Sequence, residues 1–542
     1  MEPDERFGTR TVTRTVDEIA RGLEPSRPPR PIAPGERIHV IGAAGSAASA
    51  SLLLAGAAGA SVSGCDSGER TQYSEAVEAA GIPVAWRHDR AHVIDANGAP
   101  LVDRIAVSKA LTSVDPDQPE LHAAHAARIP ATSCQQLIAD AIATRGGDLL
   151  AVAGTHGKST TTGWLVHLLV RAGLDPSAFV GAILPAELTG AAPSVVRLGR
   201  GRATIVEADE YAGNFDPYRP AVGVLLNADW DHPDVFATRS DVVDAFEGWI
   251  RRFHGAVPGD GGADPPTLVA NAGDVGVAEL LPRLVDWPGR LVAFAVIVGD
   301  VAAANRRLAE LRLSYRTAAG PAGALVGRYE SDPDGAARLV LHGLTDRDAE
   351  TVHLRLVGRH NADDALGAAG GALAYGADPE AVLDGLRTFR GVSRRFELKG
   401  DVGGVVVLDD YGHHPTAIGA TLDAVALRYP GRRIWAVYEP LTFHRTAAML
   451  ENFADVLARA DRVAIADIFA VRDPDTTMVS AADLAAAVER HGTPALAPGS
   501  VEATADALVP LVQPGDVVLV MGGGRSTVIA ERLVESLSSR IA

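Results

Sequence analysis

The sequence predicts an α/β protein of three domains: a Rossmann-like N-terminal domain, a central P-loop ATPase-like α/β domain and a Rossmann-like C-terminal domain. Three observations predict this. The chain has 542 residues, room for about three domains of ordinary size. Short apolar runs alternate with helix-like stretches along most of it, as βαβ units with parallel sheets require. Polar residues and glycines gather where those runs end, and in open α/β sheets that edge binds ligands. The expected divisions are a mobile Pro/Arg-rich tail over 1–36, then domains over 37–145, 146–390 and 391–542.

Composition narrows the function classes. Hydrophobic residues make up 47% and charged residues 22%, so large cores can be buried. A net charge of -18 argues against a general nucleic-acid or anionic-membrane binder. Two cysteines, Cys65 and Cys134, rule out a disulfide scaffold or a multi-cysteine metal cluster and fit a reducing cytoplasm. The N-terminus has no apolar core of a signal peptide, and the alanine-rich stretch from Ala47 to Ala60 is too short and small-sided to span a bilayer. The expected location is therefore cytoplasmic.

The first domain opens on "RIHVIGAAGSAASASLLLAGAAGASVSGCDS". Ile38 to Ile41 read as a strand, Gly42 and Gly45 as a tight turn, the small residues as a helix, and a second strand ends near Asp66. The glycine signature is degraded, because Ala44 and Ala47 stand where glycines would strengthen it. Alone, the motif fits a plain tight turn as well as a dinucleotide site.

The central domain carries "LLAVAGTHGKSTTTGWLVHLLVRAGL". Leu149 to Ala153 form a buried strand, and Gly154 and Gly157 let the backbone curl with its N–H groups inward. Trp164, Leu165, Leu168 and Leu169 recur at helical spacing, so the following helix has a face to dock. Lys158 supplies charge to the outer phosphates of a nucleotide, and the Ser159 hydroxyl can ligate Mg²⁺. The chain has only three lysines, at 109, 158 and 399, and one of them stands in this loop. In "VEADEYAGNFD", Glu207, Asp209 and Glu210 crowd a strand end and call for a cation, magnesium preferring one or two carboxylates with phosphate and water; an acidic turn capping a helix is the plainer alternative. In "LNADWDHPDVF", Asn227, Asp231 and His232 follow another apolar strand, and the histidine is a ligand, a surface residue or a helix cap.

The third domain repeats the alternation in "VVVLDDYGHH", "RIWAVYEP", "RVAIADIF" and "DVVLVMGGG", with helix-like segments such as "TAAMLENFADVLARA" between them. The stretch from Pro258 to Pro266 reads as an exposed loop.

In this order, "GTHGKSTTT", "EADEY", "NADWDH", "GRHNADDALGA", "DDYGHHPTAI" and "DIFAVRDPDT" resemble the motifs of the Mur ligases, ATP-dependent amide-forming enzymes of peptidoglycan synthesis. The resemblance spans nearly the whole chain beyond the tail. It implies that the N-terminal domain holds a UDP-sugar through Gly42, Gly45 and Asp66, the central domain ATP, and the C-terminal domain an amino acid. Gly154, Thr155, His156, Gly157, Lys158, Ser159 and Thr160 would cradle ATP, joined by Asn361 and by Arg395 from "SRRFE". Ser159 and Glu207 would sit on one magnesium and His232 on a second, with Lys158, Glu207 and His232 the catalytic set. Tyr411, His413 and Arg445 would hold the amino acid, the arginine by a bidentate grip on its carboxylate.

The branch implied adds L-alanine to the carboxylate of UDP-N-acetylmuramate through an acyl phosphate, as a monomer or weak homodimer without nucleic-acid or membrane partners. The alternatives are a recycling ligase that adds a preformed tripeptide to the same sugar, and a non-enzymatic nucleotide-binding relative. Departures from the pattern are Ala44 and Ala47, Asp364 in place of a common asparagine, and Thr442 where many relatives carry a second arginine. No lysine lies between Lys158 and Lys399, so a carbamylated lysine after "DWDH" is ruled out, in line with the alanine-adding branch.

Overall fold

In a computed structural model, which describes residues 13–255, 264–331, 337–344, 349–470, 473 and 475–541, the apolar runs assemble into three main sheets. The expected α/β class with parallel sheets holds. The first sheet has five parallel strands in the order Val84–Ala85, Ser61–Cys65, Arg37–Ile41, Arg104–Val107, Ala131–Ser133. Helix Ser46–Ala57 is made of small residues and buries Ala48, Ala50 and Ala55, which lets it approach helix Cys134–Arg145 closely.

The second sheet has ten strands. Strand Asp148–Ala153 lies between Val222–Leu225 on one side and Ala203–Ala208 on the other, parallel to both. Beyond them run Thr267–Asn271, Arg290–Ile297 and Gly323–Ser331 in one direction and Ser177–Leu184 in the other, with antiparallel strands at both margins. The chain therefore leaves the central strand at a topological switch point, where the crevice beyond the strand ends opens. Helix Lys158–Arg171 docks on the sheet by the predicted face: Trp164, Leu165, Leu168 and Leu169 are buried, and Trp164 stacks on Phe389 at 4.7 Å. Helix Arg359–Ala374 packs beside it through Ala362, Ala365 and Ala369.

The third sheet has the order Glu397–Val402, Val405–Asp410, Val517–Gly522, Ile434–Glu439, Arg462–Ala466, Ala495–Gly499, all parallel except the first pair. Its four predicted strands are present. The stretch "TAAMLENFADVLARA" is not one helix but falls in two, Phe443–Ala448 and Leu450–Leu457, which meet at Met449 (φ -119°).

The tail differs from expectation. Residues 1–12 lie outside the described residues, but 13–36 are fixed against the first two sheets. Ile19 and Ile32 are buried, and Arg14 donates to the Ser113 carbonyl at 3.0 Å while its backbone N–H reaches the Asp234 carbonyl. Arg27 grips Asp140 through two bonds of 3.0 and 2.7 Å. Pro/Arg composition reads as mobile in isolation. Here Arg27 joins the buried Arg104 in compensating the Asp140 carboxylate, which is 0% exposed. The predicted loop from Pro258 lies outside the described residues up to 263. Among the described residues, no helix is long and apolar enough to cross a membrane.

Candidate active site

The loop after strand Asp148–Ala153 sits at the switch point. Gly157 has φ 79°, and a Cβ there would collide with the Asp364 carboxyl, so only glycine fits. Helix Lys158–Arg171 has no side-chain cap, leaving its first-turn amides for a ligand. The neighbouring strand end staples the loop in place. Asn227 Oδ1 accepts from the His156 N–H at 2.8 Å and its Nδ2 donates to the His156 carbonyl at 3.1 Å. Thr155 Oγ1 donates to the Asp229 carbonyl and accepts from the Asp229 N–H.

Charge is concentrated around Lys158. Its Nζ donates to the Gly154 carbonyl at 2.7 Å and pairs with Glu210 Oε2 at 3.0 Å and Asp209 Oδ1 at 3.5 Å. Burial opposes its charge, but Glu210 and Asp209 outweigh burial and hold the ammonium above its ordinary value. Glu207 takes a different role from Asp209 and Glu210. It accepts from Ser159 Oγ at 3.1 Å and from the Gly181 N–H at 2.6 Å, and a Cβ on Gly181 would come within 2.8 Å of its carboxylate. Ser159 also accepts from Arg395 Nη2 at 2.9 Å, so the arginine expected to reach the phosphates already touches the loop across the domain junction.

Ligand atoms of Asp209, Glu210 and His232 lie within 4.8 Å of one another. Glu210 Oε1 is buried without a hydrogen-bond partner, and His232 is held at φ 54° against the Tyr211 ring. An oxygen-rich donor set with an orphaned carboxylate oxygen fits a hard divalent cation. His232 lies with Asp209 and Glu210 at the acidic strand end, its Nε2 also 3.8 Å from Asp231 Oδ2, whereas Glu207 stays with Ser159.

The C-terminal domain supplies the opposite wall. Arg445, 1% exposed, donates Nε to Asp231 Oδ1 at 2.7 Å, its Nη2 lies 3.4 Å from His232 Nδ1, and its Nη1 is buried without a partner. The fork expected to grip a carboxylate bidentately is therefore occupied on one edge, and Nη1 is the donor left. Although burial acts to raise it, Arg445 holds the Asp231 carboxyl well below its usual range. Tyr411 lies under the Arg395 guanidinium at 4.7 Å, and His413 Nδ1 bonds the Tyr411 carbonyl at 3.0 Å. Asn361 lines the same cavity, with its amide donating to the Val357 carbonyl. Burial and Asp363 push the Asp364 carboxyl well above its usual range.

His414 bridges the domains: its Nε2 lies 3.1 Å from the Trp230 carbonyl and its ring 4.5 Å from His156. Burial, then His156, pushes its pKa down to about 4. A depressed histidine binds protons less well folded than unfolded. Its contribution is therefore complete above the ordinary value and lost as pH falls from about 6.5 toward 4, at up to about 1.4 kcal/mol per pH unit. The melting temperature should drop over that window, and His414→Gln should flatten the drop; an unchanged pH slope in the variant would refute the assignment.

Of the N-terminal residues expected to hold a UDP-sugar, Gly42 and Gly45 form the turn after the first strand, with φ 92° at Gly42. Asp66 instead fastens this turn, accepting from the Ala44 and Gly68 N–H groups at 2.9 and 2.8 Å. None of the three lines the cavity; Ser46, Ala47, Tyr73 and Gln135 do. Sequence reasoning took Ala47 only as a missing glycine and passed over Ser46, Tyr73 and Gln135, and also Asp229, which binds Thr155, His156 and Thr416. The alternation of acids in "DWDH" was a signal for Asp229; nothing local marked Tyr73 or Gln135.

All three domains thus line one cavity of about 580 Å³ that contains Lys158, Glu207, His232, Tyr411, His413 and Arg445. Family models match in two places, residues 37–145 as "Mur ligase family, catalytic domain" and 394–524 as "Mur ligase, glutamate ligase domain". The chain is 34% identical over 502 residues to the UDP-N-acetylmuramate–L-alanine ligase of Chloroflexus aggregans, covering 92% of this chain and 98% of that one. It shares its fold with the UDP-N-acetylmuramate-alanine ligase MurC of Thermotoga maritima, with TM-score 0.71, 22% identity and coverage of 93% and 99%. A murein peptide ligase of Psychrobacter arcticus aligns with TM-score 0.65, 22% identity and coverage of 94% and 100%. At 34% identity over 92% of its length to a curated relative, and with family models matching at both ends, the chain belongs to the Mur ligase family.

Proposed function

We propose that this protein joins L-alanine to the carboxylate of UDP-N-acetylmuramate at the expense of ATP. One observation carries the reaction type: an uncapped phosphate loop, a buried carboxylate–histidine cluster and a buried arginine with a spare donor face one cavity. The choice of substrates is supported by the name of the relative that covers 92% of the chain.

A carboxylate resists attack because oxide is a poor leaving group. Its oxygen attacks the γ-phosphorus of ATP, releasing ADP and giving an acyl phosphate. The amine then attacks the carbonyl carbon, loses a proton, and the tetrahedral intermediate expels phosphate to leave the amide. The protein supplies alignment and positive charge rather than covalent chemistry. The loop amides from Gly154 to Thr160 cradle the nucleotide phosphates, and Lys158 turns from Glu210 to the β- and γ-oxygens. Arg395 follows from the C-terminal side. Ser159 with Glu207, and His232 with Asp209 and Glu210, are the residues that would hold magnesium. The ion would neutralise phosphate charge and polarise the transferred group. Asn361 orients the nucleotide, Ser46, Ala47, Tyr73 and Gln135 beyond the turn at Gly42 and Gly45 face the UDP-sugar, and Arg445 Nη1 with Tyr411 and His413 receives the amino acid. Docking of the C-terminal domain keeps water from the acyl phosphate.

The test is phosphate release from ATP and UDP-N-acetylmuramate with a panel of amino acids and the preformed tripeptide. L-Alanine should give the highest kcat/KM. Turnover with tripeptide and none with L-alanine would make the protein a recycling ligase, and no turnover with any acceptor would leave a nucleotide-binding relative.

A further inference from the structure

A second cluster of chemically active side chains lies within the first sheet, and none of its members lines the cavity. His39 stands on the middle strand, Cys65 ends the strand beside it, His92 sits in the short turn Arg90–His92, and Glu120 opens helix Pro119–Ala126. One ligand atom from each lies within 4.8 Å of every other. His39, Cys65 and Glu120 are 2%, 0% and 0% exposed.

Two features do not suit an ordinary hydrogen-bonded core. The first is His39. Its Nδ1 is engaged with Ser63 Oγ at 2.8 Å, and its Nε2 is buried with no partner. That is the arrangement of a ligating imidazole, one nitrogen oriented by a protein oxygen and the other kept for the ion. The second is Glu120. Among the described residues its ion pairs are with His92 at 2.9 Å and His88 at 3.5 Å, beside hydrogen bonds from the Asp89 N–H at 2.8 Å and the Gln118 side-chain amide, so a fully buried carboxylate is met by imidazoles and neutral donors but by no lysine or arginine. Cys65 Sγ donates to the same oxygen at 3.1 Å.

We propose that His39, Cys65, His92 and Glu120 form a structural site for a zinc-class divalent cation. Two imidazoles, a thiolate and a carboxylate are a tetrahedral donor set of borderline softness, unsuited to magnesium or calcium. Zinc bonds of about 2.0–2.3 Å place tetrahedral ligand atoms about 3.3–3.7 Å apart. The present contacts of 2.9 and 3.1 Å therefore widen by about half an ångström on binding. The ion replaces the Cys65 thiol proton, which passes to solvent; thiolate and carboxylate then balance the two positive charges. The Cys65 carbonyl accepts from the N–H groups of Gly42 and Ala43 at 2.9 and 3.0 Å, so the ion would brace the glycine turn directly above it.

Cobalt(II) added to the full-length chain in excess magnesium tests this. One cobalt per chain should give the intense visible bands of a tetrahedral ion and a near-ultraviolet sulfur-to-cobalt charge-transfer band. Cys65→Ser should abolish the charge-transfer band, Cys134→Ser should leave it, and His39→Gln should weaken binding about tenfold or more. Weak octahedral bands alone, or a charge-transfer band that survives Cys65→Ser, would overturn the proposal. For the unmutated chain, equimolar zinc should raise the melting temperature where calcium does not, and no rise with zinc would also overturn it.

Discussion

Replacing Lys158 with alanine is expected to cut ligation by about three orders of magnitude, the scale of losing a charged donor aimed at a developing oxyanion. The same change carries a separate structural cost. Lys158 Nζ is the charge beside Glu210, which is 1% exposed, and Asp209. Removing one partner of a buried pair strands the other, at about 3–5 kcal/mol. Loss of activity alone would therefore not separate a phosphate ligand from a structural cation. The double variant Lys158→Met, Glu210→Gln does so when read beside Glu210→Gln alone, which reports what losing this proposed magnesium ligand costs by itself. The double variant removes both charges at nearly constant volume, so the melting temperature should recover toward that of the unmutated chain. Phosphate release, assayed well below that temperature, should stay at the level of Lys158→Ala. Ligation within tenfold of the original in either variant would mean that Lys158 serves the fold and not the phosphates.

How far the site was legible follows from where its signals lie. The loop before helix Lys158–Arg171 is a local feature: strand, two glycines, lysine and helix are contiguous, and the strand, the positive-φ glycines and the helix lie where the sequence places them. The strand ends carrying Glu207 and His232 were legible because a parallel sheet brings successive strand ends to one edge. The division of labour among the acids was not. Glu207 goes to Ser159 and Glu210 to Lys158 because Gly181 opens room beside one and not the other, a fact of packing between distant strands. The anchoring of residues 13–36 was hidden for the same reason, since it depends on a buried Asp140 more than a hundred positions away. The resemblance gave Asp66 to the UDP-sugar from its place at the second strand end, and in the structure the same place lets it accept from the Ala44 and Gly68 N–H groups.

Arg445 offers the other large effect, and it separates two roles that the geometry combines. Through Nε it pairs with Asp231, 214 positions earlier, and so ties the C-terminal domain to the central one; through Nη1 it has a donor without a partner at the cavity wall. Arg445→Ala should loosen the docking, because Asp231 is left buried and uncompensated. It should also raise KM for the amino acid about 100-fold, the worth of a charge-assisted bond near 3 kcal/mol. Arg445→Lys separates the two. An ammonium can answer Asp231, but it has no second, fixed donor to offer a carboxylate. The lysine variant should therefore regain resistance to proteolysis between the domains and normal KM for ATP, while KM for the amino acid stays high. Full recovery of that KM in the lysine variant would show that Nη1 does not read the carboxylate. An equal rise in KM for ATP in the alanine variant would show that Arg445 acts only by holding the domains together. The pairing predicts neither, because the group that latches the domains and the group that meets the substrate are different nitrogens of one guanidinium.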